Sequence, residues 1–372
     1  MTSIPLSLSR RQRETPFEKR MLEHDPKGLA VYNHMTLPTV FESMEADYAH
    51  LCEHVQLWDV GCERQVEVVG PDALRLVELS TPRDMSSMAI GQGRYAPLVD
   101  EHGGVVNDPI ILRLEEDRYW FSIADSDVQL WLKGLAYGMG LDVKVFEPDV
   151  SPLAVQGPKA VDLLAGLVGE HVRDIRFFHF IEEEIAGAPV LIARSGWSGQ
   201  DGYEIYLQGS HYGSALWDAV FEAGQKHQIR AGCPNLIDRL EFGLISYGND
   251  MTLAENPFEC GLDKFFKLGK DATYLSQAAL EQLHELPLKK KLVKIKINYD
   301  APLSMRSIMP IRHEGREVGY VTTQTYSQKY GYILSIGYLD TSMLHESKQL
   351  EVVTDTGKRV SATYCSDSWP LS

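Results

Sequence analysis

Apolar and polar positions alternate most strictly in GYEIYL, residues 202–207, where Tyr203, Ile205 and Leu207 fall on one face of an extended chain and Glu204 and Tyr206 on the other. The stretch before it, RSGWSGQD, is a turn rich in Gly and Ser that presents Trp197. A carboxylate and large aromatics therefore lie close together. Two readings are open at this point. One is an edge strand with a single solvated Glu beside a structural turn. The other is a recess for a flat, nitrogen-rich heterocycle, with the carboxylate accepting its N–H groups and aromatic rings covering its face or cradling a cation.

Other segments repeat. RQVEVVGPDALRLVEL predicts a strand, a Gly70-Pro71 break and a helix with Pro in its first turn, and SPLAVQGPKAVDLLAGLV repeats that unit around Gly157-Pro158. RYWFSIADSDVQLWLKGL and GYEIYLQGSHYGSALWDAVF each read as strand, polar turn and helix, carrying Trp131 and Trp217. Gly70 and Gly157 are 87 positions apart and Trp131 and Trp217 are 86, so residues from about 60 to about 230 read as two similar halves. Each half predicts a β-α-β-β-α-β unit with helices on one face of an antiparallel sheet, and the ligand is expected in a crevice to which both halves contribute. The expected divisions are an N-terminal segment 1–60 that contributes to the binding core, repeats over 61–150 and 151–284, and a C-terminal β domain over 285–372.

The remaining segments fill in that frame. VYNHMTLPTVF places Tyr32, Asn33 and His34 just before a helical pattern over residues 42–54; these are candidate pocket residues, though a structural hydrogen bond is the commoner fate of each. YAPLVDEHGGVVNDPIIL, residues 95–112, predicts a strand, a Gly103-Gly104 hairpin turn and a returning strand that carries Asn107 and Asp108. Leu236, Leu240 and Leu244 predict a helix over residues 234–247, with Arg239 and Glu241 off its apolar stripe and expected to be solvated. Past Lys264 a short helical piece and a charged connector lead to LVKIKI, EVGYVTT, YILSIGYL and QLEVVTD, short strands of an antiparallel β domain.

With 372 residues, 44% hydrophobic and 24% charged, the chain has material for two or three domains, and it contains no apolar run of the roughly 18 residues a membrane span needs. A net charge of −16 argues against nucleic acid as a partner, while a small ligand needs only local charges. Cys52, Cys62, Cys233, Cys260 and Cys365 are scattered without metal-ligand spacing and fit thiols in the cytoplasm. No secretory leader is expected from the first residues, no metal site is expected, and oligomeric state is left open.

The usual catalytic kits are missing from the sequence: no G-x-G-x-x-G after a strand, no Walker loop, no H-E-x-x-H and no G-x-S-x-G. An amide- and aromatic-lined recess remains, suited to an enzyme that works by positioning or to a binding protein. YAPLVDEHGGVVNDPIIL, SPLAVQGP, RSGWSGQDGYEIYL, the 234–247 segment and GYILSIGYL together resemble the aminomethyltransferase family, typified by the glycine-cleavage T-protein, almost from end to end. VYNHMTLPTVF, EHVQLWDV, RDIRFFHF, AGCPNLIDR, SYGND and FECGL resemble in particular a folate-dependent demethylase branch whose methyl donor is dimethylsulfoniopropionate.

The resemblance implies two related α+β domains and a C-terminal antiparallel β domain around a central folate site. It implies tetrahydrofolate as methyl acceptor, with Glu204 on the pterin and Tyr95 and Asp108 also on the cofactor side. In T-proteins the first Asp of an Asp-Asp pair stands by the folate nitrogens; this chain has Asn107 there, followed by Asp108. Forming a methylene group needs proton transfer, for which a carboxylate is useful, whereas moving a whole methyl from a sulfonium to N5 does not. Asn107, Trp197 and Tyr206 are accordingly expected at the reacting centre, with Tyr32, Asn33, Trp197 and Tyr206 on the methyl donor, Trp197 and Tyr206 holding its cation against an aromatic face. Another sulfonium or N-methyl donor, or folate binding without turnover, are the alternatives.

Overall fold

The computed structural model describes residues 9–304, 307–345, 348–366 and 368–370. Among them no helix is long and apolar enough to cross a membrane. The chain divides into two compact units. One contains the chain up to residue 66, residues 91–93 and 147–235; the other contains residues 67–90, 94–146 and the chain from 236 onward.

The first unit is built on a six-stranded sheet in the order Phe180–Ile185, Ala188–Ala193, Gly202–Gln208, Val150–Gln156, Gln56–Asp59, Arg230–Gly232. Its strand pairs are antiparallel except the last, which is parallel. Alternation along Gly202–Gln208 sorts the side chains as the pattern predicts. Tyr203, Ile205 and Leu207 join Leu153, Val155 and Ile192 in the core, under Leu163 and Leu164 of the helix Ala160–Val168 and Leu216, Trp217 and Val220 of the helix Gly213–Gly224. Glu204 and Tyr206 occupy the opposite face. The strand is interior to the sheet, with partners on both sides, so the edge-strand reading of this segment is excluded.

The corresponding sheet, most of whose residues fall in the second unit, runs in the order Lys144–Phe146, Gln65–Val69, Arg118–Ser122, Ile110–Glu115, Gln92–Tyr95, with helices Ala73–Ser80 and Val128–Gly138. Strand order matches the six-stranded sheet once Gln56–Asp59, which enters between the first and last strands of the later half, is set aside. Each half therefore runs β-α-β-β-β-α-β, one strand more than the sequence pattern suggests. Pro97 and Pro109 account for part of the difference. They interrupt the 95–112 stretch, so that Leu98–Val99 and Val105–Asn107 form a separate two-stranded ribbon rather than one long hairpin.

The strands from Lys290 onward close into a six-stranded barrel, Lys290–Ile297 pairing with both Tyr332–Asp340 and Arg359–Cys365. Ile295, Ile297, Met309, Ile311, Val321, Ile333, Leu339 and Val352 fill it. Closure removes exposed sheet edges, which the short strands alone do not reveal. The helix expected over 234–247 covers only Leu236–Phe242 and stops at Gly243, whose φ of +73° is left-handed.

Candidate active site

Glu204 sits opposite Ala154 on one side and Ala193 on the other, so the cross-strand neighbours of its carboxylate are single methyl groups. It is only 5% exposed. Ser195, two residues past the end of Ala188–Ala193, donates its hydroxyl to Glu204 Oε2, and the Tyr206 hydroxyl donates to the same oxygen at 3.2 Å. Burial pushes the carboxyl above its ordinary range, and these two donors oppose the shift. Oε1 has no hydrogen-bond donor among the described residues. An acceptor held this way fits the N–H groups of a pterin edge, whose donors would satisfy the oxygen that the protein leaves unpaired.

Trp197 lies in the turn between the two strands and is half-buried, as its position between Gly196 and Ser198 suggests. The turn is tied to the sheet by Ser198, whose hydroxyl donates to Gln156 Oε1 at 2.6 Å. Tyr206 is placed differently from expectation. It has no exposed surface, so its ring offers no face to a donor cation, and its observed work is to hold Glu204.

The second unit brings Tyr95 and Asp108 together. The Tyr95 hydroxyl donates to Asp108 Oδ2 at 3.1 Å. Burial pushes the Asp108 carboxyl up to about 7, against the pull of Tyr95, the Arg239 guanidinium and backbone N–H groups. Asn107 does not stand beside it as a reacting group. It is fully buried; its Nδ2 donates to the Ala124 carbonyl at 3.1 Å and to Ser126 Oγ at 2.8 Å, and its Oδ1 accepts from the N–H of Ala124 at 3.1 Å and of Asp108 at 3.0 Å. Both amide hydrogens and both lone pairs are committed. Asn107 clamps the ribbon to the segment after Arg118–Ser122, a structural use of its amide that the sequence reading did not anticipate.

The expected solvation of Arg239 and Glu241 is corrected. Arg239 is 4% exposed and paired with the buried Asp250, whose other oxygen accepts from Thr322 at 2.8 Å and Thr323 at 2.7 Å. Burial lowers the Arg239 guanidinium to about 10, and the charge of Asp108 opposes that shift. Glu241 accepts from Ser327 at 2.6 Å. Arg239 is held by Asp250, which is itself tied to Thr322 and Thr323 of a barrel strand, and Glu241 is bonded to Ser327 of the same strand, so a local apolar stripe carries no trace of these partners.

Tyr32 and Asn33 close the hairpin of Gly28–Tyr32 and Met35–Val40. Asn33 and His34 both take left-handed backbone, φ 48° and 67°, as a two-residue hairpin turn of this twist requires. Asn33 is buried and donates to the Cys62 carbonyl at 3.0 Å, a structural tie; Tyr32 keeps part of its surface exposed.

Comparison with known proteins agrees along the chain. Residues 17–270 match the model of the GCVT N-terminal domain, and residues 290–369 that of the glycine cleavage T-protein C-terminal barrel domain. The chain is 48% identical over 351 residues to a dimethylsulfoniopropionate demethylase of Ruegeria pomeroyi, covering 94% of this chain and 96% of that one. It is 30% identical over 329 residues to an aminomethyltransferase of Exiguobacterium sibiricum, covering 88% and 89%. In fold it is similar to the glycine cleavage system aminomethyltransferase T from Bartonella henselae, with a TM-score of 0.84 at 24% identity over 96% of this chain and 98% of that one.

Proposed function

The chain belongs to the glycine cleavage T-protein family of aminomethyltransferases, and we propose that within it this protein moves a methyl group from dimethylsulfoniopropionate to N5 of tetrahydrofolate. The products are 5-methyltetrahydrofolate and 3-(methylthio)propanoate. What carries this reading is the 48% identity, over 94% of the chain, to a demethylase of that donor, against 30% to an aminomethyltransferase. We place the reaction in the cytoplasm, where the five free cysteines stay reduced.

Tetrahydrofolate supplies the N5 lone pair as nucleophile, and the sulfur leaves as a neutral thioether. The N5–H proton is released to solvent once the methyl is in place, so no protein group has to move a proton in the transfer itself. Its task is to hold methyl carbon, sulfur and N5 in line, a positioning effect worth up to roughly 7–11 kcal/mol. Glu204 is assigned to the pterin edge through Oε1, with Ser195 and Tyr206 fixing its carboxylate by way of Oε2. Tyr95 and Asp108 are assigned to the folate, and Trp197 to the sulfonium, whose charge an indole face stabilises by about 0.5–2 kcal/mol. Tyr32 remains a donor-side candidate. Asn107 carries no reacting role, since every hydrogen-bonding position of its amide is used within the fold.

The test is a panel of methyl donors, sulfonium and betaine-like, incubated with protein and tetrahydrofolate and followed by mass detection of methylfolate and of the demethylated product. Methylfolate and thioether appearing in equal amounts with dimethylsulfoniopropionate, and faster than with any other donor, is the expected result. Folate binding without product from any donor would favour a binding protein.

A further inference from the structure

The two halves of the repeat differ at one place that the function above does not use. The Gly-Pro corners match in backbone: Gly70 and Gly157 have φ of 140° and 127°, and a Cβ at either would meet a backbone carbonyl, Asp142 O at 2.6 Å or His54 O at 2.4 Å. The residue before the corner does not match. It is Val69 in the earlier half and Gln156 in the later one. A second difference accompanies it. Ile110–Glu115 and Arg118–Ser122 are joined by residues 116–117 alone, whereas Ala188–Ala193 and Gly202–Gln208 are joined by residues 194–201, the turn that carries Trp197. The longer turn and the buried amide occur in the same half.

Gln156 is fully buried, and its amide reaches two points of that turn and one in the strand that follows it. Nε2 donates to the carbonyls of Ser195 and Tyr203, each at 3.4 Å, and Oε1 accepts from Ser198 Oγ at 2.6 Å. Two glycines are needed to admit it. A Cβ at Gly196 or at Gly202 would lie 2.2 Å from Gln156 Nε2, so a side chain at either position displaces the amide from the bonds it makes there. Register puts Gln156 opposite Gly202 and two positions from Ala154, the neighbour of Glu204, on the same face of the sheet.

We infer that Gln156 is a positioning residue for both sides of the proposed site, setting Trp197 through Ser198 and the hydroxyl that holds Glu204 through Ser195. This rests on the methyl-transfer reading for its kinetic consequences but not for its structural one. The amide works as a spacer with directed bonds: it fixes the turn ends against the strand, so the indole and the carboxylate keep one geometry before either ligand arrives. An apolar residue of the same length fills the volume and removes the bonds to the two carbonyls and to the Ser198 hydroxyl, which keeps its bonds with Gln200.

The experiment compares Gln156→Met, Ser198→Ala and Ser195→Ala with the parent protein by two readouts. Hydrogen exchange of the ligand-free protein is read at residues 195–202 and, as a control, in the hairpin of Phe180–Ile185 and Ala188–Ala193. Kinetics give the KM for the sulfonium, the Kd for tetrahydrofolate and kcat. Gln156→Met is expected to speed exchange in 195–202 roughly tenfold with the hairpin unchanged, and to raise both donor KM and folate Kd by up to about tenfold, the loss of one or two neutral hydrogen bonds. Ser198→Ala should raise only the donor KM and Ser195→Ala only the folate Kd. In a Trp197→Leu background the donor KM should not rise further on Gln156→Met. Unchanged exchange in 195–202, or a donor effect that adds in full to Trp197→Leu, would overturn the inference. If Gln156→Met does not fold, Ser198→Ala decides by the same exchange comparison. A parent protein that transfers no methyl would defeat the functional reading, and the exchange data would still decide the role of Gln156.

Discussion

Tyr206 donates its hydroxyl to Glu204 Oε2 at 3.2 Å from the next position on the same face of one strand, so a ring with no exposed surface fixes a carboxylate that has one oxygen to spare. Two variants separate the anchor from its support. Glu204→Gln should weaken tetrahydrofolate binding by about 1.5–3 kcal/mol, the value of a hydrogen bond to a charged group. Tyr206→Phe should weaken it by about 0.5–1.5 kcal/mol, and by nothing further once Glu204 is Gln. Titration of the folded variants checks both. Equal folate affinity in Glu204→Gln and parent would remove Glu204 from the site.

Trp197 is half-buried in a turn and is not among the residues that form the core of the six-stranded sheet. Trp197→Leu should therefore raise the KM for a sulfonium roughly 2- to 30-fold, the range of a cation–π contact, while folate affinity and Tm stay near their parent values. A Tm loss of many degrees would assign the indole to packing instead.

Asn107→Ala removes the donor to the Ala124 carbonyl and the oxygen that accepts from the N–H groups of Ala124 and Asp108, and each lost hydrogen bond costs about 0.5–1.5 kcal/mol. Asn107→Asp loses the donor to the Ala124 carbonyl and brings a charge into a buried place. Both should lower Tm by several degrees, and the fraction that remains folded should keep a normal single-turnover rate. A large rate loss at unchanged Tm would return Asn107 to the reacting centre.

Much of this architecture is legible in the chain because it is local. Equal spacing of Gly-Pro corners and of Trp131 and Trp217 discloses the duplication, and strict alternation over residues 203–207 sorts core from site. What escapes depends on distant partners. Asn107 is bonded 17 and 19 residues ahead, and the barrel partners of Asp250 and Glu241 lie 72 to 88 residues on. The strand Gln56–Asp59, inserted in the later sheet, breaks the symmetry of the repeat from outside it. Gln156 reads as one polar residue in an apolar strand. Its only signal is the pair of glycines at 196 and 202, which an alternating pattern does not connect with it.

Asp59 and Asp108 both have carboxyls pushed by burial up to about 7 from 3.8. Between roughly pH 4 and 7 the folded protein therefore holds protons that the unfolded chain has released, and linkage makes its stability fall as pH rises through that window. Asp108→Asn, which keeps an oxygen for the Tyr95 hydroxyl, should flatten part of the decline: its Tm advantage over the parent should be larger at pH 8 than at pH 5. Parallel Tm curves for the two proteins would show that Asp108 ionises at its ordinary value.

The central claim is that a whole methyl group passes from sulfur to N5 without any proton chemistry at carbon. Dimethylsulfoniopropionate carrying two CD3 groups, reacted in a single turnover with tetrahydrofolate between about pH 6.5 and 9, tests it in one measurement. Expected are methylfolate that retains all three deuteriums, one thioether per methylfolate and, with both ligands saturating so that the ionisation of Asp108 bears on folate binding alone, a rate nearly flat with pH. Methylene-folate, deuterium lost from the transferred carbon, or a bell-shaped single-turnover profile would contradict it.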